Sequence, residues 1–217
     1  MKYLLFFLLC GNLFASKARL ESLSQNSATG SNYILDSRSV FKNPGLMNEY
    51  TNFIITEWGS DTTNNTDSTT SPKAEGGLFK KWGYFNYGVY LGNEDARANT
   101  LRKTAEGTTN GLLEQDNRVD LFFGGDAGFE WGVDIYFSNN QDEVNDNNAL
   151  SVTVDRTQNT AGGRVGIVQN QYAAYLNIGI RDESNGSIQT DKSANYDGKL
   201  NLTVGGNYFL SSSINLC

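Results

Sequence analysis

The chain contains no histidine. That excludes Ser–His–Asp and Cys–His catalysis and every metal site that needs an imidazole. It holds two prolines, and because proline cannot donate a ladder hydrogen bond, this scarcity leaves room for long unbroken strands. Of the two cysteines, Cys10 lies in an N-terminal apolar run and Cys217 is the last residue. Once a leader carrying Cys10 is removed, no internal disulfide can form. Beyond that run no stretch approaches the roughly 20 apolar residues of a membrane-spanning helix. There is no P-loop and no dinucleotide fingerprint. The formal charge is −7, so nothing electrostatic draws the chain to nucleic acid.

What is present begins with a leader. Lys2 supplies a positive start, Tyr3 to Leu9 an apolar run, and Ala15 and Ser16 small residues. This is the anatomy of a secretory signal peptide cleaved after Ala15. The reading divides the chain into a signal peptide (1–15), an N-terminal segment with a short helix or plug (16–50), and strands (51–217).

Most of the remaining sequence alternates with period 2, as strands with two unlike faces must. From Ala127 to Phe137 one face reads Ala127, Phe129, Trp131, Val133, Ile135, Phe137; the other reads Gly128, Glu130, Gly132, Asp134, Tyr136. The same pattern marks strands near Phe85–Leu91, Val119–Phe123, Leu150–Val154, Ala174–Ile180 and Leu200–Leu210. It is weaker at Asn52–Gly59, Gly77–Trp82 and Gly162–Val168. Tight turns are expected at Gly83, at Gly124-Gly125-Asp126 and around Gln169-Asn170, and long polar loops at 60–73, 94–117, 138–148 and 182–198.

Eleven unbroken residues match the roughly 9–11 of a tilted membrane strand. Glycines beside polar residues on one face (Gly88, Gly92, Gly128, Gly132, Gly179, Gly205) suit a narrow interior. Tyr84, Phe85, Trp131, Tyr136, Phe137, Tyr208 and Phe209, all but the mid-strand Trp131 near strand ends, resemble aromatic girdles. The fold class expected is therefore all-β, a transmembrane antiparallel β-barrel with about 8–10 strands visible, either whole or part of a larger barrel. Nine candidate strands is an odd number and the chain does not finish on an aromatic strand. Single-chain bacterial barrels have an even count, so either a strand is miscounted or the barrel is C-terminally incomplete.

The stretch Asp36-Ser-Arg-Ser-Val-Phe41-Lys-Asn43-Pro44-Gly-Leu46, followed by Phe53-Ile-Ile-Thr-Glu57-Trp58-Gly59, resembles the start of the FadL-like outer-membrane barrels. In those proteins an Asn-Pro segment precedes the first strand, which would make Asp36, Phe41, Asn43, Pro44 and Leu46 family-motif positions. Ser16-Lys-Ala-Arg-Leu-Glu-Ser-Leu and Glu57-Trp-Gly are similar to major outer-membrane proteins of Bdellovibrio-like predatory bacteria.

On this reading Asp120, Glu130, Asp134, Tyr136, Asp155, Arg164 and Arg181 line a lumen, where charges of both signs tune permeation. Glu130 and Asp134 share a face about 13–14 Å apart, too far for paired-carboxylate hydrolysis. The Asp142-Glu143-x-Asn145-Asp146 run lacks the spacing of a calcium loop. No catalytic residue, metal site or cofactor is expected. The function expected is a porin-like passive channel or structural barrel in the outer membrane. Its partners would be outer-membrane lipid, the barrel-assembly machinery and further copies of itself, with no nucleic acid. Two other readings fit the same alternation: a surface adhesin or recognition protein, and a secreted β-sandwich whose apolar face packs on a second sheet.

Overall fold

The computed structural model describes residues 16–26, 29–31, 33–59, 73–93, 112–113, 117–146, 152–188 and 193–208, with Leu101, Thr104 and Gln115. Residues 1–15, read above as a signal peptide, and Cys217 lie outside these residues. A short helix, α1 (Ser16–Ser22), is followed by two 3₁₀ helices, η1 (Ser37–Phe41) and η2 (Pro44–Tyr50). Nine strands come next: β1 (Phe53–Gly59), β2 (Lys73–Trp82), β3 (Phe85–Leu91), β4 (Val119–Asp126), β5 (Glu130–Asp146), β6 (Val152–Gln169), β7 (Tyr172–Ile188), β8 (Ser193–Gly198) and β9 (Asn201–Tyr208).

Each strand pairs antiparallel with its neighbour in sequence from β1 to β8, and β9 follows β8 end to end along the same edge of β7. Turn chemistry sets the registers. Gly83, at φ +60°, and Asn170, at φ +53°, take the left-handed positions of the two-residue hairpins β2–β3 and β6–β7, where such backbone is needed. The β4–β5 loop runs through Ala127, Gly128 and Phe129, with the Gly128 amide donating to Asp126 at 2.8 Å. Gly124-Gly125-Asp126, expected as a turn, therefore ends strand β4, and Gly128, expected on a strand face, makes the bend at φ +85°.

Two further boundaries differ from the sequence reading. The Val152–Val154 part of one expected strand and the whole of Gly162–Val168 belong to one 18-residue strand, β6, because Gln158, Asn159 and Thr160 between them pair on both sides; Leu150 and Ser151 lie outside the described residues. The expected polar loops 138–148 and 182–198 consist largely of the ends of β5 and β7 and of β8. Hydrophobic alternation marks only the apolar part of a strand; the polar parts form because a neighbour offers them a ladder.

The expected transmembrane barrel does not form. Among the described residues β1 pairs with β2 alone and β9 with β7 alone, so the sheet is open, and it is not strongly curled. Period-2 alternation requires two unlike faces but does not require the end strands to meet. Nor is the glycine-bearing polar face a lumen. Residues from η1 and η2 cover it: Val40, Phe41, Leu46 and Met47 form the core with Ile55, Phe79, Tyr90, Phe122, Val168 and Ala173. Phe41 stacks edge-on against Tyr90 at 4.8 Å and Phe122 at 5.6 Å. No helix among the described residues is long and apolar enough to cross a membrane.

The N-terminal segment is fixed at both of its caps. Asp36 caps η1, accepting from the Arg38 amide while Ser39 reaches back to the Asp36 amide, the reciprocal capping box. Asn43 caps η2, accepts from Gly45 N at 2.9 Å and donates to the Ile167 carbonyl of β6 at 3.2 Å. Asn48 donates to the Trp131 carbonyl of β5 at 3.1 Å. The glycines of the covered face make this approach possible: a Cβ on Gly132 would overlap the Pro44 carbonyl, and one on Gly166 would overlap the Asn43 amide. Gly132→Ala should therefore lift η2 from the sheet and lower stability by about 1–3 kcal/mol. Urea unfolding checks this.

Candidate functional site

The seven positions expected to line a lumen separate into two groups. Asp120, Asp134, Tyr136 and Arg164 come together on the covered face, because the registers of β4, β5 and β6 set Asp120 opposite Tyr136 and Asp134 opposite Arg164. Arg118, which alternation does not single out because it precedes β4, completes the cluster. Its guanidinium donates to Asp120 through Nε at 3.0 Å and Nη2 at 2.5 Å. Arg164 Nη1 bridges Asp120 at 3.0 Å and Asp134. Both guanidinium groups rest against the Tyr136 ring, at 3.9 and 4.5 Å, a cation–π arrangement strengthened by exclusion of water.

Arg118, Asp120, Asp134 and Arg164 are all buried. With Asp134 ionised, two positive and two negative groups balance, as desolvated charges require. Burial pushes the Asp134 carboxyl up to about 7, a rise that Arg164 opposes and Asp120 reinforces. One of its oxygens, Oδ1, has no hydrogen-bond partner. Burial by itself would lower the Arg164 pKa, but Asp134 and Asp120 hold it above its ordinary value.

A second buried cluster joins the N-terminal segment to β2 and β3. Arg38 donates through Nη1 to Glu75 at 2.8 Å and to the Tyr90 hydroxyl at 2.7 Å, and through Nη2 to Asn93 at 2.6 Å. Lys17 donates to the other Glu75 oxygen at 2.7 Å. Burial would raise the Glu75 carboxyl, but Arg38 and Lys17 outweigh it and hold it below the usual carboxylate range. Glu57 moves the other way, raised mainly by burial. Arg38 sits inside the Asp36–Leu46 stretch, yet no spacing rule could have shown that it pairs with an acid 37 residues away.

The remaining predicted residues join neither cluster. Glu130 sits at the start of β5, raised by burial with help from Glu49 and Asp126. Arg181 is exposed and donates to Glu183 at 2.5 Å. Asp155 is exposed on the opposite face. The motif residues act structurally: Asp36 and Asn43 cap, Pro44 opens η2, and Phe41 and Leu46 fill the core. The predicted lumen is thus a packed interior of paired charge. The channel reading, the outer-membrane placement and the partnership with membrane lipid, assembly machinery and neighbouring barrels all rested on a closed barrel, and they fall with it.

A surface missed by the sequence reading lies on the other face. Past Phe137, Ala161 and Ile180, strands β5–β8 run on as a polar extension. Register aligns Asn139, Asn159, Glu183 and Asp197 in one row and Gln141, Thr157, Asn185 and Asn195 in the next. Asn139 bonds Asn159, and Asn195 bonds Asn185, each at 2.5 Å. Glu143 and Asp155 begin a third row. Only pairing could reveal these rows, since each strand alone reads as a polar loop.

No family model, no curated protein and no solved structure matches this chain, so the resemblance to FadL-like barrels and to outer-membrane proteins of predatory bacteria is not upheld. Its class is defined by its own geometry: an open antiparallel sheet braced on its polar face by the N-terminal segment.

Two outcomes follow for the buried cluster. Arg164→Met leaves Asp120 and Asp134 with Arg118 alone and should cost about 3–5 kcal/mol, the scale of breaking a buried pair, measurable by chemical denaturation at pH 7. For Asp134, the folded pKa of about 7 exceeds the ordinary 3.8. The folded chain therefore keeps a proton that the unfolded chain has released, and this stabilising difference is lost as pH rises from about 4 through 7. Asp134→Asn should flatten that part of the stability–pH curve, and an unchanged slope would show that Asp134 does not titrate there.

Proposed function

We propose that this chain is an exported, non-catalytic recognition domain that binds a neutral, hydroxyl-rich ligand, such as a surface glycan, on the polar extension of β5–β8. The observation that carries the reading is the pair of aligned amide rows, with Asn139, Gln141, Asn185 and Asn195 all exposed. A primary amide both donates and accepts, which matches hydroxyl groups better than it matches charged or apolar ligands. Neighbouring strands space the side chains by about 4.8 Å and successive rows by about 6.8 Å, a flat lattice suited to an extended chain of sugars. Glu143 and Asp155 on the same face disfavour anionic ligands by like-charge repulsion, while Glu183 and Asp197 are paired with Arg181 and Lys199.

The absence of histidine from the sequence and the mutual neutralisation of the buried acids support the non-catalytic part of the reading. The export part rests on the residue 1–15 leader pattern.

The test is titration calorimetry against neutral and acidic polysaccharides, with reducing-end release followed in the same samples. The expected result is binding of a neutral glycan that falls at least tenfold in the Asn139→Ala/Asn185→Ala double variant, with unchanged circular dichroism and no release of reducing ends. Equal binding by the variant would sink the amide-row assignment, and steady release would sink the non-catalytic one.

A further inference from the structure

The largest feature left unexplained is the apolar face opposite the braced one. Register lines its side chains up in rows that cross the sheet. One row reads Ile54, Leu78, Val89, Leu121, Ile135, Gly163, Ile178, Leu202, crossing eight strands. The next reads Lys80, Tyr87, Phe123, Val133, Val165, Leu176, Val204. Most of these side chains are exposed, Ile54 at 76%, Val204 at 73%, Leu202 at 60% and Ile135 at 51%, while Leu121, Val133, Leu176 and Ile178 are half-buried.

Size decides what this face means. Rows on either side of these two run through Leu91, Val119 and Phe137 and through Phe85, Trp131 and Ile167. With strands about 4.8 Å apart and rows about 6.8 Å apart, the band is about 34 Å wide and about 20 Å deep, near 700 Å². The largest apolar patch on an ordinary monomer is about 300–600 Å². A standard stable interface takes about 800 Å² from each partner. The band therefore exceeds what a monomer leaves bare and comes close to one half of a stable dimer.

We infer that a second copy of this chain covers the face, stacking sheet on sheet into a two-chain β-sandwich. Two such faces pack about 10 Å apart with interdigitating side chains. The surface relief suits contact with itself, since Gly163 sits opposite Ile135 and leaves a hollow next to a ridge. In the two central rows Lys80, at the β2 margin, is the one charged side chain. Arg181 ends the outer row of Leu91, Val119, Phe137 and Ala161, where it pairs with Glu183 of the polar extension beyond. A closed two-fold contact uses the same patch on both copies, so each copy keeps its own N-terminal brace on its outside. This inference does not rest on the glycan reading, because the polar extension lies outside the band.

The experiment is sedimentation equilibrium of the full chain in detergent-free buffer over a hundredfold concentration range, with small-angle X-ray scattering on the same samples. The expected species has twice the 23.9 kDa chain mass and scatters as a compact stacked pair. Ile135→Lys and Val165→Glu should each shift it to monomer at equal concentration while leaving circular dichroism intact. A wild-type monomer across the range would overturn the inference. So would an elongated, edge-joined dimer in the scattering, which is readable even if both variants fail to fold, or a dimer untouched by two folded variants.

Discussion

The close approach of η2 to the glycines of β5 and β6 is the constraint from which the rest of this structure follows. Pro44 and Gly45 lie on Gly132 and Gly166 at a distance that no other side chain would allow. Asn43 and Asn48 then reach strand carbonyls, and Phe41, Leu46 and Met47 drop between the aromatic rings of β2, β3 and β4. Without that approach the polar face would be a wet surface of glycines and acids. With it, the face becomes the core, and the buried charges must find partners among themselves.

That necessity accounts for both ionic clusters. Arg38 ties the N-terminal segment to Glu75 and Tyr90, and Arg164 ties β6 to β4 and β5 through Asp120 and Asp134. Each cluster is close to electrically neutral and links elements distant in sequence. Buried pairs of this kind add little net stability compared with apolar residues of the same size. They do penalise any register that would separate the partners. Raised Asp134 and lowered Glu75 are opposite outcomes of one balance between burial and neighbouring charge: Glu75 meets two cations and no second acid in direct contact, whereas Asp134 shares Arg164 with Asp120.

The two faces of the sheet thus divide the work. One is consumed in holding the chain together. The other carries a broad apolar band and, beyond it, rows of amides on strands too polar to have a reason to fold alone. An open antiparallel sheet usually keeps its apolar face covered and its polar face wet. Here the brace has reversed that order, and this is why the uncovered face is where binding is proposed.

Much of the local structure was legible in the residues. Alternation located β3, β7 and β9, and Gly83 and Asn170 marked the hairpins β2–β3 and β6–β7. The ends of β5, β6 and β7 were not legible, because Asn, Gln, Thr and Asp carry no periodic apolar signal and become strand only when a neighbour supplies the ladder. The cluster of Asp120, Asp134, Tyr136 and Arg164 could be guessed as one face, but not as a closed set with Arg118. By itself the sequence determined that there would be long antiparallel strands with two unlike faces and no histidine chemistry. Only the tertiary structure decided which face would be buried and whether the end strands would meet. Alternation is a property of one strand, whereas burial depends on what packs against the finished sheet and closure on hydrogen bonds between its two ends.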